Sequence, residues 1–179
     1  GNALRQALHR QGLQQFVLET VSALNRAIGE AWMRGEIQVF EEHLYTEQMQ
    51  ALLRQAIGAL PPGSGRPRIL LTTVPEEQHI LGILMSEALL TLEGAGCVSL
   101  GTQTPLADIG LTAQAQQADI VALSFSSAFP TRQVAPLLKQ LRGMLAANIE
   151  VWAGGAGIER VAAPEGVRIM GSLGAALEG

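Results

Sequence analysis

Residues 69–82, ILLTTVPEEQHILG, join an apolar run to a helical pattern through a polar turn. The run over 69–74 is typical of a buried strand, since it is short, apolar and followed by a proline. The spacing Glu77-x-His79-x-x-Gly82 then places a carboxylate, an imidazole and a glycine within one turn. The carboxylate is placed to orient the imidazole, and Gly82 lets a large group approach the backbone. This turn is therefore a candidate site at the end of a buried strand.

The chain after residue 67 alternates short apolar runs with helical patterns. Predicted strands, each bounded by Gly, Pro or polar residues, cover 68–74, 97–100, 120–124, 151–153 and 167–170. Predicted helices cover 80–93, 105–118, 131–145 and 157–162, and a last helix starts at Ser172. Strands with helices on both faces are continuous apolar runs, as these are. The pattern predicts an α/β fold with a Rossmann-like (flavodoxin-like) five-stranded parallel sheet, doubly wound and flanked by helices.

The preceding part of the chain lacks strand alternation and predicts three to four helices in a small bundle. Helical spacing of apolar residues covers 3–10, 13–35 and 36–57, and Thr46 predicts a break that divides the last region into two helices. Residues 61–67, PPGSGRP, are typical of a linker. We therefore expect a helical domain over 1–60, a linker over 61–67 and a sheet domain over 68–179.

Composition excludes several classes of protein. The net charge of −4, with both signs mixed, argues against a nucleic-acid-binding surface on these 179 residues. No apolar run is long enough to span a membrane. Cys97, the only cysteine, has no partner for an internal disulfide and lies in an apolar run, which fits a core residue of a cytoplasmic protein. Since the sequence begins with Gly1, we expect a fragment of a longer protein.

Three polar or glycine-rich segments follow predicted strands, where doubly wound sheets bind ligands. They are the turn at 77–82, the segment from Ser124 to Ser127, and the segment from Gly154 to Gly157. Taken singly, each has an ordinary structural explanation: a hydrogen-bonded histidine, a helix cap and a tight turn. A dinucleotide or Walker phosphate loop is excluded, because neither glycine motif follows the first strand. We expect the three segments to form one site.

The combined spacing resembles the cobalamin-binding signature Asp-x-His-x-x-Gly, Ser-x-Leu and Gly-Gly. Between Gly82 and Ser124 lie 41 residues, and between Ser126 and Gly154 lie 27, as in that family. Glu77 replaces the aspartate and Ser126 replaces the leucine. Both differences are mild, because glutamate still accepts a hydrogen bond and serine still leaves room.

The resemblance implies a role for each signature residue. His79 would displace the dimethylbenzimidazole base of cobalamin and bind cobalt as the lower axial ligand, for which neutral imidazole is suited. Glu77 would fix the histidine tautomer. Ser124 would hydrogen-bond the displaced nucleotide tail. Room for that tail is implied at Gly82, Ser126, Gly154 and Gly155.

A second resemblance lies in the helical region. The segments AIGEAW (27–32), GEI (35–37) and VFEEHL (39–44) resemble the cobalamin-dependent MerR-type regulators, which include light-responsive repressors of carotenoid genes. In that family the bundle lies over the upper face of the corrin. The resemblance implies a pocket for 5′-deoxyadenosine lined by Trp32, Val39, Glu42 and His43.

This resemblance implies a sensory domain, not an enzyme. It would bind adenosylcobalamin, form a homo-oligomer (dimer or tetramer) and act on DNA through a helix-turn-helix domain preceding Gly1. Met33 stands where the light-responsive members carry a second cobalt-binding histidine, so whether light or cobalamin level is the signal stays open; His43 is a possible substitute ligand. Two alternatives remain: a corrinoid protein carrying methylcobalamin for a methyltransferase, and a flavodoxin-like module that binds no corrinoid.

Overall fold

The computed structural model describes residues 2–171 and divides the chain into two compact units, Gly1–Pro61 and Pro62–Gly179. The first unit is helical, as predicted. Helix α1 covers Asn2–Gln11, α2 covers Leu13–Gln15, α3 covers Ser22–Met33 and α4 covers Val39–Gly58. A π-helical segment, Phe16–Val21, joins α2 to α3 without interruption.

The core of the helical unit combines the π-helical segment with α4. Its buried side chains are Phe16, Val17, Val21, Met49, Leu52 and Leu53. The Tyr45 hydroxyl on α4 donates to Oδ1 of Asn25 on α3 at 2.5 Å. Burial raises the pKa of Tyr45 to about 12, so this hydroxyl stays a donor at neutral pH. The bond is a polar link between α3 and α4.

The predicted break at Thr46 is wrong, since α4 is one helix of 20 residues. The Thr46 hydroxyl donates to Oε1 of Glu42 at 3.2 Å, one turn earlier on the same helix. A hydroxyl satisfied in this way does not compete for the backbone. The buried Met49 further along the helix adds a packing reason for α4 to continue.

The second unit contains the predicted five-stranded parallel sheet, which confirms the fold. Its strands are β1 Arg68–Thr72, β2 Gly96–Ser99, β3 Ile120–Ser124, β4 Glu150–Gly154 and β5 Val167–Ile169. The order across the sheet is β2-β1-β3-β4-β5. This is the flavodoxin-like order, in which β2 lies on one side of β1 and the later strands are added on the other side.

Helices cover both faces of the sheet. Helix α5 (Leu81–Leu92) packs on one face, and α6 (Leu106–Ala115) and α7 (Thr131–Met144) pack on the other. A helix over 157–162 was predicted, but only the 3-10 turn Ala156–Ile158 forms there. The segment inserts Ile158 and Val161 into the core, so a longer helix would have little further apolar surface to bury. The predicted helix from Ser172 lies outside the described residues.

The sheet face under α5 has one unusual member. Trp152 of β4 is 5% exposed and packs there with apolar residues of β1, β3 and α5. Within residues 2–171, its indole Nε1 has no hydrogen-bond partner. The register pairs Ala122 with Trp152 and Ser124 with Gly154. The Trp152 indole therefore lies on the same face of the sheet as Ser124, and Trp152 is two residues nearer the amino ends of the strands.

The sheet order brings three of the predicted segments together. Because β1, β3 and β4 are consecutive neighbours in a parallel sheet, the segments that follow them meet at one edge.

A helix long and apolar enough to cross a membrane was not found among residues 2–171.

Candidate functional site

The segment after β1 leaves the strand through a tight turn. The N–H of Glu77 donates to the carbonyl of Val74 at 3.1 Å. Pro75 occupies the second position of the turn and Glu76 the third, with φ of 74°. These features define a type II turn, in which the third position normally requires glycine. The turn reverses the chain so that Glu77 points back toward the neighbouring segment after β3.

The Glu77 carboxylate is buried, with 2% of the residue exposed, and both oxygens are used. Oε1 accepts a short hydrogen bond from the backbone N–H of Ser126. Oε2 lies 3.0 Å from Nδ1 of His79 and accepts the Ser126 hydroxyl at 3.1 Å. Glu77 therefore joins the segments after β1 and β3.

The protonation state of Glu77 follows from these contacts. Burial by itself raises the pKa of the carboxyl, but the hydrogen bonds from His79 and from the backbone and hydroxyl of Ser126 outweigh it. The net result is a pKa lowered from the ordinary value of 4.5. Glu77 is thus an anion at neutral pH, and its contacts all favour that state.

His79 is held on one side and exposed on the other. Its Nδ1 contacts Oε2 of Glu77 and lies 3.1 Å from Oγ of Ser126. The side chain is nevertheless 57% exposed. Against an ionised carboxylate Nδ1 carries the proton, and the neutral ring then has its lone pair on Nε2. This is the tautomer that binds a metal through Nε2.

The glycines at this edge have packing reasons within the protein. A Cβ on Gly82 would collide with Oγ of Ser124, so this glycine lets α5 approach β3 closely. Gly155 has φ of 97°, and a Cβ there would collide with the carbonyl of Phe125. At Gly154 a Cβ would meet Cβ of Met170 at 3.8 Å, an ordinary contact. Gly82 and Gly155 thus bring the segments at this edge close together.

An open depression of about 320 Å³ lies beside the imidazole. Its floor and rim combine the turn after β1 with the segment before α7. It is lined by Glu76, Glu77, Gln78, His79, Ala128, Phe129 and Pro130. The depression leaves room for a ligand group beside His79.

The helical unit holds the other predicted site residues at the end of α3 and the start of α4. Trp32 is 46% exposed and Val39 54% exposed, both high for apolar side chains. Oε2 of Glu42 lies 3.4 Å from Nδ1 of His43, whose side chain is 73% exposed. Met33 is 84% exposed. These side chains present an aromatic ring and two polar groups to their surroundings.

Two features of the site were missed in the sequence. Ser126 was predicted only to leave room, whereas its N–H and hydroxyl bind Glu77. Thr73 is fully buried, and its hydroxyl donates to the carbonyl of Glu77 at 2.6 Å. A threonine pair inside the apolar run of β1 was the available signal, because a buried hydroxyl needs a partner.

Comparison with protein families indicates which cofactor the chain could bind. Residues 1–57 match the family described as B12 binding domain. Over these residues the chain is similar to a B12 binding domain. The matched segment contains Trp32, Glu42 and His43, so the family match rests on the helical unit.

Comparison with curated proteins places regulators among the relatives. The chain is 32% identical to the HTH-type transcriptional repressor CarH of Myxococcus xanthus, over 77% of this chain and 46% of that protein. It is 33% identical to the repressor CarA of the same organism, over 80% and 48%. The resemblance to CarH-like regulators is confirmed. The chain spans about half the length of these two relatives.

Proteins with other roles are also similar. The chain is 27% identical to methionine synthase of Mycobacterium tuberculosis, over 68% of this chain and 10% of that enzyme. The solved structure of the Methanosarcina barkeri monomethylamine corrinoid protein matches 99% of this chain and 87% of its own, with a TM-score of 0.70 and 16% identity. At that identity the likeness shows the shared fold. The chain is thus similar both to transcriptional repressors and to an enzyme.

The residues after β1 fit the cobalt of cobalamin (vitamin B12), the cofactor that the family match implies. Within residues 2–171, no group of three or more His, Cys, Asp or Glu could hold a bare metal ion. A corrin would bring its own ring nitrogens to the cobalt, so His79 alone could supply the protein's ligand. His79 offers an exposed imidazole whose Nδ1 is fixed by a buried carboxylate, the usual support for a metal-binding histidine.

Proposed function

We propose that the chain binds cobalamin with its lower base displaced and His79 as the lower axial ligand. The contact of Oε2 of Glu77 with Nδ1 of His79 carries this proposal, since it selects the tautomer with a lone pair on Nε2. Ser126 strengthens it by holding both oxygens of Glu77. The carboxylate stays ionised at neutral pH, so the imidazole is held as a strong ligand.

The displaced nucleotide tail is proposed to enter at the carboxyl edge of the sheet. Ser124 and Gly154 lie opposite each other there, and Trp152 lies further along the same face. The Ser124 hydroxyl and the Trp152 indole N–H are hydrogen-bond donors on that face. An acceptor on the tail would give the indole N–H the partner it lacks among residues 2–171.

The upper ligand is proposed to be 5′-deoxyadenosine, held by the helical unit. The exposed Trp32 offers an aromatic face for a purine. Val39 adds apolar surface, while Glu42 and His43 add polar groups that could bind the adenine edge or the ribose. When bound, adenosylcobalamin supplies a cobalt–carbon bond that light or chemistry can cleave. A methyl group would leave this pocket without a ligand.

The chain is proposed to act as the sensory part of a cytoplasmic MerR-type transcriptional regulator, not as an enzyme. Similarity to CarH and CarA supports this. Presence or loss of the adenosyl group would change the homo-oligomer (dimer or tetramer) and so DNA binding by an upstream domain. A ligand shifts such an equilibrium only through different contacts in the two states, and the residues proposed to contact adenosine are the means here. Met33 leaves the signal open between light and cobalamin level.

A corrinoid protein that carries methyl groups is the second candidate. Similarity to methionine synthase and the shared fold of the methylamine corrinoid protein favour it. It accounts for Glu77 and His79 equally well. It does not account for Trp32, Glu42 and His43, because methyl transfer needs no adenosine pocket.

One experiment separates the candidates. The protein is loaded in the dark with adenosylcobalamin or methylcobalamin, and absorption spectra and oligomer size are measured before and after illumination, with chemical removal of the adenosyl group as a second arm. A regulator changes oligomer size when the adenosyl group is lost by either route. Unchanged size together with efficient transfer of the methyl group to a thiol acceptor would contradict the regulator and support the carrier.

A further inference from the structure

Thr72 is the last residue of β1 and Thr73 follows it, and their hydroxyls have different partners. Both Thr72 and Thr73 are fully buried. The Thr72 hydroxyl lies 3.0 Å from the carbonyl of Gly101 and 2.7 Å from Oγ1 of Thr104. These partners belong to the segment that follows β2. Thr72 therefore connects the strand to that segment, and its further contact, 3.4 Å to the carbonyl of Thr73, is with the next residue of the chain.

The Thr73 hydroxyl connects that same segment to the turn that carries the imidazole. It accepts the backbone N–H of Gln103 at 2.8 Å and donates to the carbonyl of Glu77 at 2.6 Å. The N–H of Gln103 can only donate, and a carbonyl can only accept, so the direction of both bonds is determined. The single hydroxyl proton is therefore committed to Glu77.

Both ends of this link are backbone segments in an uncommon conformation. Glu76 directly precedes Glu77, whose carbonyl accepts the Thr73 hydroxyl, and has φ of 74°. Gln103, whose N–H donates to that hydroxyl, has φ of 59°. A left-handed conformation is unfavourable for a non-glycine residue, so surrounding contacts must hold it. The Thr73 hydroxyl is bonded beside both residues.

We propose that Thr73 is a positioning residue for the cobalt ligand. Its hydroxyl fixes the backbone of Glu77, and the carboxylate of Glu77 fixes Nδ1 of His79. The segment after β2, through Gln103, thereby becomes part of the support of the axial ligand. This inference rests on the proposed function, because it assigns Thr73 a role in His79 binding to cobalt.

The test compares Thr73→Val with Thr73→Ser and with Thr72→Val as the matched control. Valine keeps the shape and removes the hydroxyl, and serine keeps the hydroxyl. Thr72→Val removes an equally buried hydroxyl that does not contact Glu77. Each protein is labelled with 15N-histidine and loaded with cob(II)alamin. Electron paramagnetic resonance then distinguishes the doublet splitting of a 15N-histidine ligand from the triplet of a 14N base.

Thr73→Val is expected to weaken cobalamin binding about tenfold, the lower end of the effect of residues that orient a metal ligand. The fraction of cobalt showing the doublet should fall with it. Thr73→Ser should restore both, and Thr72→Val should leave both near wild type although it also loses stability. Equal effects of Thr73→Val and Thr72→Val, or no effect of Thr73→Val, would overturn the proposal.

Hydrogen exchange adds a measurement that does not depend on the loaded variant. In the cofactor-free proteins the Gln103 amide should exchange faster in Thr73→Val than in wild type, and in the wild type cobalamin should slow exchange at both Glu77 and Gln103. If Thr73→Val does not fold, the absence of slowing at Gln103 in the wild type overturns the proposal. If wild type binds no cobalamin at all, the proposed function fails, whereas the Thr73–Gln103 link is still judged by the cofactor-free exchange rates.

Discussion

Oε2 of Glu77 lies 3.0 Å from Nδ1 of His79, with the carboxylate buried and the imidazole 57% exposed. The contact joins a buried carboxylate to an imidazole that is exposed and so accessible to a ligand. It therefore determines which nitrogen of the imidazole is offered to the outside. The proposed cofactor chemistry of this chain depends on that selection.

Replacing the carboxylate by an amide tests the selection directly. In Glu77→Gln the carbonyl oxygen can keep the bond from the Ser126 N–H, and the amide NH₂ then faces Nδ1 of His79. An NH₂ group donates, so the neutral ring would place its proton on Nε2 and lose the lone pair needed for cobalt. We expect cobalamin affinity to fall about 10–100-fold, as for other groups that orient metal-binding histidines.

Equilibrium dialysis with cob(II)alamin, which has no adenosyl group for Glu42 to contact, measures this change in affinity. Glu42→Gln is a suitable control, because it makes the same substitution beside another histidine, His43. It should leave His79 ligation of cob(II)alamin intact. Wild-type ligation in Glu77→Gln would show that the carboxylate does not set the tautomer.

The lowered pKa of Glu77 predicts an acid-dependent part of the stability. Because the folded pKa lies below the ordinary 4.5, folding favours the ionised form, and this contribution is complete above about pH 4.5. It is lost as the pH falls through the lower folded value. Urea unfolding from pH 7 to pH 3 should show wild type losing more stability than Glu77→Gln below pH 4.5. Parallel curves for the two proteins would mean that Glu77 gains nothing from ionisation in the folded state.

The left-handed Glu76 predicts a stabilising substitution. Glycine removes a conformational penalty of about 1–2 kcal/mol at φ of 74° and adds about 0.5–1 kcal/mol of entropy cost. Glu76→Gly should therefore stabilise the cofactor-free protein by about 0.5–1 kcal/mol in urea unfolding. Gln78→Gly, two residues later, is the control and should destabilise or leave stability unchanged. Destabilisation by Glu76→Gly would show that the glutamate side chain contributes more than the turn geometry costs.

The helical unit predicts a difference between upper ligands. Trp32→Ala should weaken adenosylcobalamin binding about tenfold in the dark, the effect of losing about 1.4 kcal/mol of aromatic contact. Methylcobalamin binding should stay near wild type, because a methyl group does not reach an adenosine pocket. Leu111→Ala removes another exposed apolar side chain, 66% exposed, and serves as the control. Equal weakening of both cobalamins would contradict an adenosine pocket at Trp32.

Much of the fold could be predicted because the buried strands are short apolar runs between glycines, prolines and polar residues. The runs around Ile69 and Ile120 form β1 and β3, which are neighbours inside the observed sheet. The errors lay where a local signal was ambiguous. Thr46 can end a helix or bond back along it, and the choice depends on Glu42 one turn earlier.

The site was partly predictable for a similar reason. Glu77 and His79 are two residues apart, so their contact is local and follows from spacing. The contacts of Ser126 and Gln103 join residues separated by 49 and 30 positions, and they depend on how the segments after β1, β2 and β3 meet. For residues this far apart in the sequence, the spacing does not show how close they lie in the folded protein.

Electron paramagnetic resonance distinguishes His79 from the cofactor's own base as the ligand of cobalt. Protein labelled with 15N-histidine is loaded with cob(II)alamin, and its electron paramagnetic resonance spectrum is recorded for wild type and His79→Ala. We expect a doublet splitting on the cobalt lines in wild type and its loss in His79→Ala, with His43→Ala unchanged. A triplet from the cofactor's own base in wild type, or a doublet that survives in His79→Ala, would contradict it.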